Sequence, residues 1–116
     1  MDEVSTLIYD YFANEATFTA EMGTRIYPLV AREETEWPFA IYTIGNPEAF
    51  TKEAVNYPVT LNLYYEKANY TEAVTFHADV KALIDTDTAW NIGDSSVYFL
   101  EDDQSIVAAI NFEIIY

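Results

Sequence analysis

The chain has 116 residues, no cysteine, and 20 acidic against 5 basic side chains, for a formal net charge of −15. That length suits one domain, residues 1–116, whose folding buries about two-thirds of the surface an unfolded chain of this size exposes. The charge excludes recognition of a phosphate backbone through Lys and Arg and attraction to an anionic membrane surface, and the missing cysteine excludes a disulfide framework and thiolate metal sites.

Val4, Leu7, Ile8, Tyr11 and Phe12 recur at helical spacing, with Asp2 and Glu3 at the positive end of the helix dipole, which predicts a first helix over residues 2–13. Met1 to Ser5 lacks the basic and apolar regions of a secretion signal, and no apolar run approaches the ~20 residues of a membrane span. A protein that is not secreted is therefore expected. Asn14 is placed to cap a second, short helix over Glu15 to Met22, stopped by Gly23. Arg25 to Tyr27 reads as a short extended piece ended by Pro28, and residues 31–36 read as a charged loop. Pro38 then holds Trp37 out of the helical region.

Phe39 to Ile44 is rich in aromatic and β-branched residues and closed by Gly45-Asn-Pro47, a strand and its breaker. The stretch from Asn46 to Asn56 has weak periodicity and reads as a long mobile connection, the kind of loop that often carries function. From Pro58 to Tyr65 the pattern is a strand, with Val59, Leu61, Leu63 and Tyr65 on one face and Thr60, Asn62, Tyr64 and Glu66 on the other. The main helix follows at about 70–84, on the stripe Ala73, Phe76, His77, Val80, Leu83 and Ile84. Asn69 and Glu72 have the spacing of a capping box. Leu61, Leu63, Val80 and Leu83 are expected to face in and Tyr64 to face out. Asp85 to Thr88 reads as a polar break, and Trp90, Ile92 and Gly93 lead to a turn. A terminal hairpin is then expected, 96–101 with 105–116, in which Ile106, Ala108, Ile110, Phe112 and Ile114 form the core face. The sum is an α+β fold, a single mainly antiparallel sheet packed against the main helix with an N-terminal helix pair.

Chemistry is sparse. His77, the single histidine, lies on the apolar side of the main helix without a partner, and Gly23, Gly45 and Gly93 are too isolated to cradle a phosphate. Asp85-Thr-Asp87 begins like a calcium loop but then offers Ala89, Trp90 and Ser96 where a ligand, a glycine and a glutamate belong. Asn69-Tyr-Thr71 matches a glycosylation acceptor, for which helix capping is the better account. No catalytic, cofactor or metal residue is nominated, and a non-enzyme without cofactors is expected.

The landmarks Gly23-Thr-Arg-Ile-Tyr-Pro28, Pro38-Phe-Ala-Ile-Tyr42, a long loop, the strand from Pro58 to Tyr65 and Asn69-Tyr-Thr-Glu-Ala73 opening a helix together resemble the phage tail completion proteins, the tail terminator group of phages and prophages. The likeness covers about residues 3–84 and continues loosely into the hairpin; its distinctive part is the Gly-x-Arg-Ile-Tyr-Pro element and its distance from the Pro-led strand. It implies a small α+β domain that caps the finished tail tube and joins it to the head connector, commonly as a hexameric ring, in the virion or in the host cytoplasm during assembly. It further implies surfaces rather than an active site, and an assembly loop at Asn46, Glu48, Phe50, Lys52, Glu53 and Asn56, with Tyr64 as a candidate exposed aromatic contact. The strong acidity and the many Tyr depart from the pattern. In a ring, an acidic inner wall would leave the channel non-adhesive to DNA, unless Arg25, Arg32, Lys52, Lys67 and Lys81 lined the hole. The alternative reading is an acidic protein-binding or regulatory domain that mimics nucleic acid toward a basic partner; a small carboxylate enzyme would instead need a concave pocket holding two acids.

Overall fold

A computed structural model describes residues 2–29, 37–49, 54–101 and 104–116. Helices α1 (Asp2–Ala13) and α2 (Ala16–Met22) precede β1 (Ile26–Pro28), β2 (Phe39–Ile44), β3 (Glu48–Ala49) and β4 (Val55–Glu66). A 3-10 turn over Lys67–Asn69 then leads into α3 (Tyr70–Asp87), and β5 (Asn91–Leu100) and β6 (Ser105–Ile115) complete the chain. The strands form one six-stranded sheet in the order β1-β2-β4-β6-β5, with β3 paired to the start of β4. Among the described residues only the β1–β2 pair is parallel. The α+β expectation holds, with all three helices on one face of the sheet.

That covered face is the core. The alternation in β4 puts Val59, Leu61, Leu63 and Tyr65 inward, and all four are buried. Beside them lie Ala40 and Tyr42 of β2 and Ile106, Ala108, Ile110, Phe112 and Ile114 of β6, so the expected phase of the last strand is correct. The cover comes from Val4, Ile8 and Phe12 of α1, Phe18 and Met22 of α2, and Ala73, Phe76, Val80 and Ile84 of α3. Leu7 is turned to solvent and Leu83 is half-buried, so the helical stripes are narrower than the sequence implies. The helices are tied down by their few polar groups. Tyr42 and Ser5 join hydroxyls across 2.8 Å, which fixes α1 to β2. The Tyr11 hydroxyl lies 3.2 Å from both the Leu83 carbonyl and an Asp87 carboxylate oxygen, which fixes α1 to α3.

Several local expectations are corrected. Asn14 does not cap α2; its amide donates to the Asp10 carbonyl at 2.8 Å, closing α1, while Glu15 Oε1 accepts from Thr17 N at 3.2 Å and starts α2. Asn69 makes no side-chain cap, because the 3-10 turn before α3 already occupies the approach a capping box needs. α3 runs through Asp85-Thr-Asp87 to Thr88, whose hydroxyl and amide both donate to the Ile84 carbonyl. Two carboxylates oppose the dipole in a last turn, but the Tyr11 hydroxyl of α1 holds Asp87 at the surface.

The span from Asn46 to Asn56 is not one open connection, since Glu48↔Asn56 and Ala49↔Val55 pair as a short antiparallel ladder and β4 begins three residues before Pro58. Pro58 is tolerated inside β4 for a specific reason. Its carbonyl accepts from Gly45 N at 2.7 Å, so its missing N–H points to the same side, into the gap between the end of β2 and β3. Gly93 likewise lies within β5 rather than in a turn, at the register shift between Ile92 and Ser95. No helix among the described residues is long and apolar enough to cross a membrane.

Candidate interaction surface

Side chains of the opposite phase make the open face, and the register aligns them in rows. Phe39 pairs with Tyr64, Tyr64 with Val107, and Val107 with Tyr98, so one apolar row crosses β2, β4, β6 and β5. The Phe39 and Tyr64 rings stack at 5.0 Å with 9° between planes, and Trp37 extends the row with its ring 5.1 Å from Phe39. Val107 is buried on the open face because it is the small member between two Tyr neighbours, on β6, an interior strand. The next row, Ile41, Asn62, Ala109 and Ser96, is smaller and more polar; Asn62 Oδ1 is closed off from solvent without a hydrogen-bond partner. Beyond it Thr60 donates to Asn111 Oδ1 at 2.8 Å and Asn56 to Glu113 Oε2 at 3.1 Å. The face is therefore aromatic at one end and amide-rich and acidic at the other.

Tyr64 belongs to this face as expected, but as the stacked middle of an aromatic row, half-buried, rather than as an exposed anchor. The exposed member is Tyr98. In the expected assembly loop, Asn46 is exposed between β2 and β3, Glu48 is exposed on β3, and Asn56 is half-buried opposite Glu48; Phe50, Lys52 and Glu53 lie outside the described residues. The structure thus brings Glu48 and Asn56 together and places them at the polar end of the open face, away from Tyr64. Trp37, Phe39 and Tyr98 were not singled out in the sequence. Their signal was present as large side chains on the outward phase of β2 and β5 and just before β2, but it forms a row only when the register is known.

On the helical side, α2 and α3 flank a groove of about 400 Å³ whose walls carry Glu21, Glu72 and Asp79, with Phe76 at its apolar side. The Tyr65 hydroxyl donates to Glu21 Oε2 at 2.8 Å. Burial, and then the carboxylates of Glu21, Glu72 and Asp79, push this phenol far above its usual range, which keeps it a neutral donor. Tyr11 is raised in the same way by burial and by Asp87. His77 bridges α3 to the sheet, its Nε2 3.3 Å from the Ala109 carbonyl, so that nitrogen carries the proton. Burial and the Lys81 charge hold it below the ordinary histidine value, against the opposing pull of the carbonyl. Among the described residues no three His, Cys, Asp or Glu side chains converge as metal ligands. Arg25 is held to the Pro38 carbonyl at 2.7 Å through Nε.

No protein-family model matches the chain, and no curated protein matches it.

Proposed function

We propose that the chain is a structural protein of a phage or prophage tail, of the tail completion (tail terminator) kind, which caps the tail tube and joins it to the head connector as a hexameric ring. The observation that carries this reading is the way its two distinctive sequence landmarks pack on each other. Gly23, with φ of 62°, ends α2 by donating its N–H to the Thr19 carbonyl at 2.8 Å, and the turn sends Arg25 to Pro28 alongside the Pro-led strand. Ile26, Tyr27 and Pro28 then pair in parallel with Ala40, Ile41 and Tyr42, the Ala40 N–H donates to the Arg25 carbonyl at 2.9 Å, and the Arg25 side chain clamps Pro38. Spacing between these two elements is thereby a structural requirement of one sheet edge, which is why it is the informative part of the resemblance.

The working parts in this reading are surfaces. The aromatic row on the open face is the candidate contact to the tube or connector, since clustered aromatic side chains in a water-excluding patch dominate protein–protein binding. The ladder at Glu48 and Asn56 borders its polar end. Arg25 is held by its Nε to the Pro38 carbonyl, which fixes where its charge stands at that sheet edge. The chain needs no cofactor for this role and acts in the virion or in the host cytoplasm during assembly.

The test is to mix the purified protein with tail tubes that lack a terminator and image them by electron microscopy across a salt series, because so acidic a surface repels itself at low ionic strength. Capping of one tube end by rings is expected, and tubes left bare at every salt concentration would refute the reading. The second reading, an acidic domain that occupies a basic partner, is favoured by one observation, the gathering of Glu21, Glu72 and Asp79 around the α2–α3 groove. Binding of a Lys/Arg-rich peptide there, lost on Glu72→Gln and Asp79→Asn, without affinity for tubes, would put it in first place.

A further inference from the structure

The sheet ends at β5, and among the described residues nothing pairs with the outer edge of that strand. Open edges are normally blunted by Lys, by Pro, by a bulge or by brevity. β5 has ten residues with neither Lys nor Pro, and its bulge is confined to the span between Ile92 and Ser95. From Ser95 to Leu100 the strand is in unbroken register and carries no charge, in a chain of net charge −15. Two large side chains stand on this stretch, one on each face of the sheet. Tyr98, opposite Val107, is 46% exposed on the open face, and Phe99, opposite Ile106, is 45% exposed on the helical face. The nearby flank of α3, marked by the His77 contact to Ala109, also presents exposed Val74 and Tyr70.

We propose that two copies of the free protein join through β5, the strands running antiparallel about a two-fold axis at Val97. Such an axis perpendicular to the sheet keeps each face with itself, so it must fall on a residue and the alternatives are few. With the axis at Val97, Tyr98 lies opposite Ser96 of the second copy and Phe99 opposite its Ser95, so each large side chain meets a small one on the correct face. Asp94 then lies opposite Leu100 and Glu101 opposite Gly93, so no carboxylate directly faces another. Moving the axis to Tyr98 sets the two Tyr98 rings against each other and Phe99 opposite Val97. Moving it to Ser96 sets Tyr98 opposite Asp94. Matching of large to small side chains selects Val97. The contact closes on itself, so it differs from the head-to-tail contact of a cyclic ring, and it stands whether or not the tail reading holds.

The chain has no cysteine, so Val97→Cys gives a single reporter on the axis. Directly opposed residues in an antiparallel pair have Cα atoms about 4.5–5.5 Å apart, within the ~4.4–6.8 Å that a disulfide spans. Under mild oxidation V97C is expected to cross-link rapidly, and Thr86→Cys, exposed on α3, is not. Sedimentation of the unmodified protein at about 1 M salt, where screening acts beyond ~3 Å, is expected to give twice the chain mass. Tyr98→Glu, checked by circular dichroism for native folding, is expected to weaken the dimer at least about tenfold. A monomer at every concentration and salt, or V97C cross-linking no faster than T86C, overturns the proposal.

Discussion

The two faces of the sheet are built from the same strands and obey opposite rules. On the covered face the core side chains pack against helices, with Phe99 left exposed at the β5 edge, and the polar atoms admitted there are paired, as with Tyr42 to Ser5 and Tyr65 to Glu21. On the open face the strands supply their own cover. Phe39 lies on Tyr64, Val107 is buried between tyrosines, and the Thr60 hydroxyl donates to Asn111 Oδ1 across the ladder. The covered face is thus the place where the core lies, and the open face is closed by contacts among its own side chains. The distinction can be broken by substitution on each side.

The largest loss of stability is expected from Phe12→Ala, whose ring is fully buried and touches both Tyr11 and Phe18. Removal of a buried aromatic costs about 3–5 kcal/mol, to be read from urea unfolding; a loss below about 1 kcal/mol would mean that the helices cover the sheet loosely. Tyr65→Phe comes next. It keeps the packing but leaves Glu21 without the phenol at 2.8 Å, a charge-assisted bond whose loss costs about 1–3 kcal/mol. Its unfolding midpoint should fall, and fall less in a Glu21→Gln background, where the acceptor is neutral.

On the other face Tyr64→Ala should cost only about 1–2 kcal/mol, from the lost Phe39 stack and partial burial, while reducing tube binding about tenfold or more if this face is the contact. A stability loss equal to that of Phe12→Ala would make the open face a second core and remove the distinction. The smallest effect concerns His77. Its folded value lies below the ordinary 6.5, so the unfolded chain takes up the proton first; the contribution is present above pH 6.5 and is lost as pH falls from there through the folded value. His77→Gln should flatten that part of the stability–pH curve, measured by thermal melts from pH 7 to pH 5; an unchanged slope would show that burial of the ring does not shift its protonation.

Much of the covered face was legible from local pattern. The period-2 alternation of Val59, Leu61, Leu63 and Tyr65, and the helical spacing of Ala73, Phe76, Val80 and Ile84, each fix a buried set without reference to any other segment. Local signals misled where a distant group intervened. Asp85-Thr-Asp87 reads as a helix end, but Tyr11, more than seventy residues earlier, holds Asp87 in the helix. Pro58 reads as a strand start, but its missing N–H falls where neither neighbouring strand needs it. Asn69 reads as a cap and is displaced by a 3-10 turn.

By itself, then, the sequence determined the α+β class, the core phase of β4 and of β6, and the strong acidity. Only the tertiary structure decided which strands lie side by side. Alternation tells each strand which side chains point outward but not what stands next to them, because register is set by the sum of pairings along a whole ladder and by the helices on the far face. That is why Phe39, Tyr64, Val107 and Tyr98 become one row, and why β5 is left with an open edge.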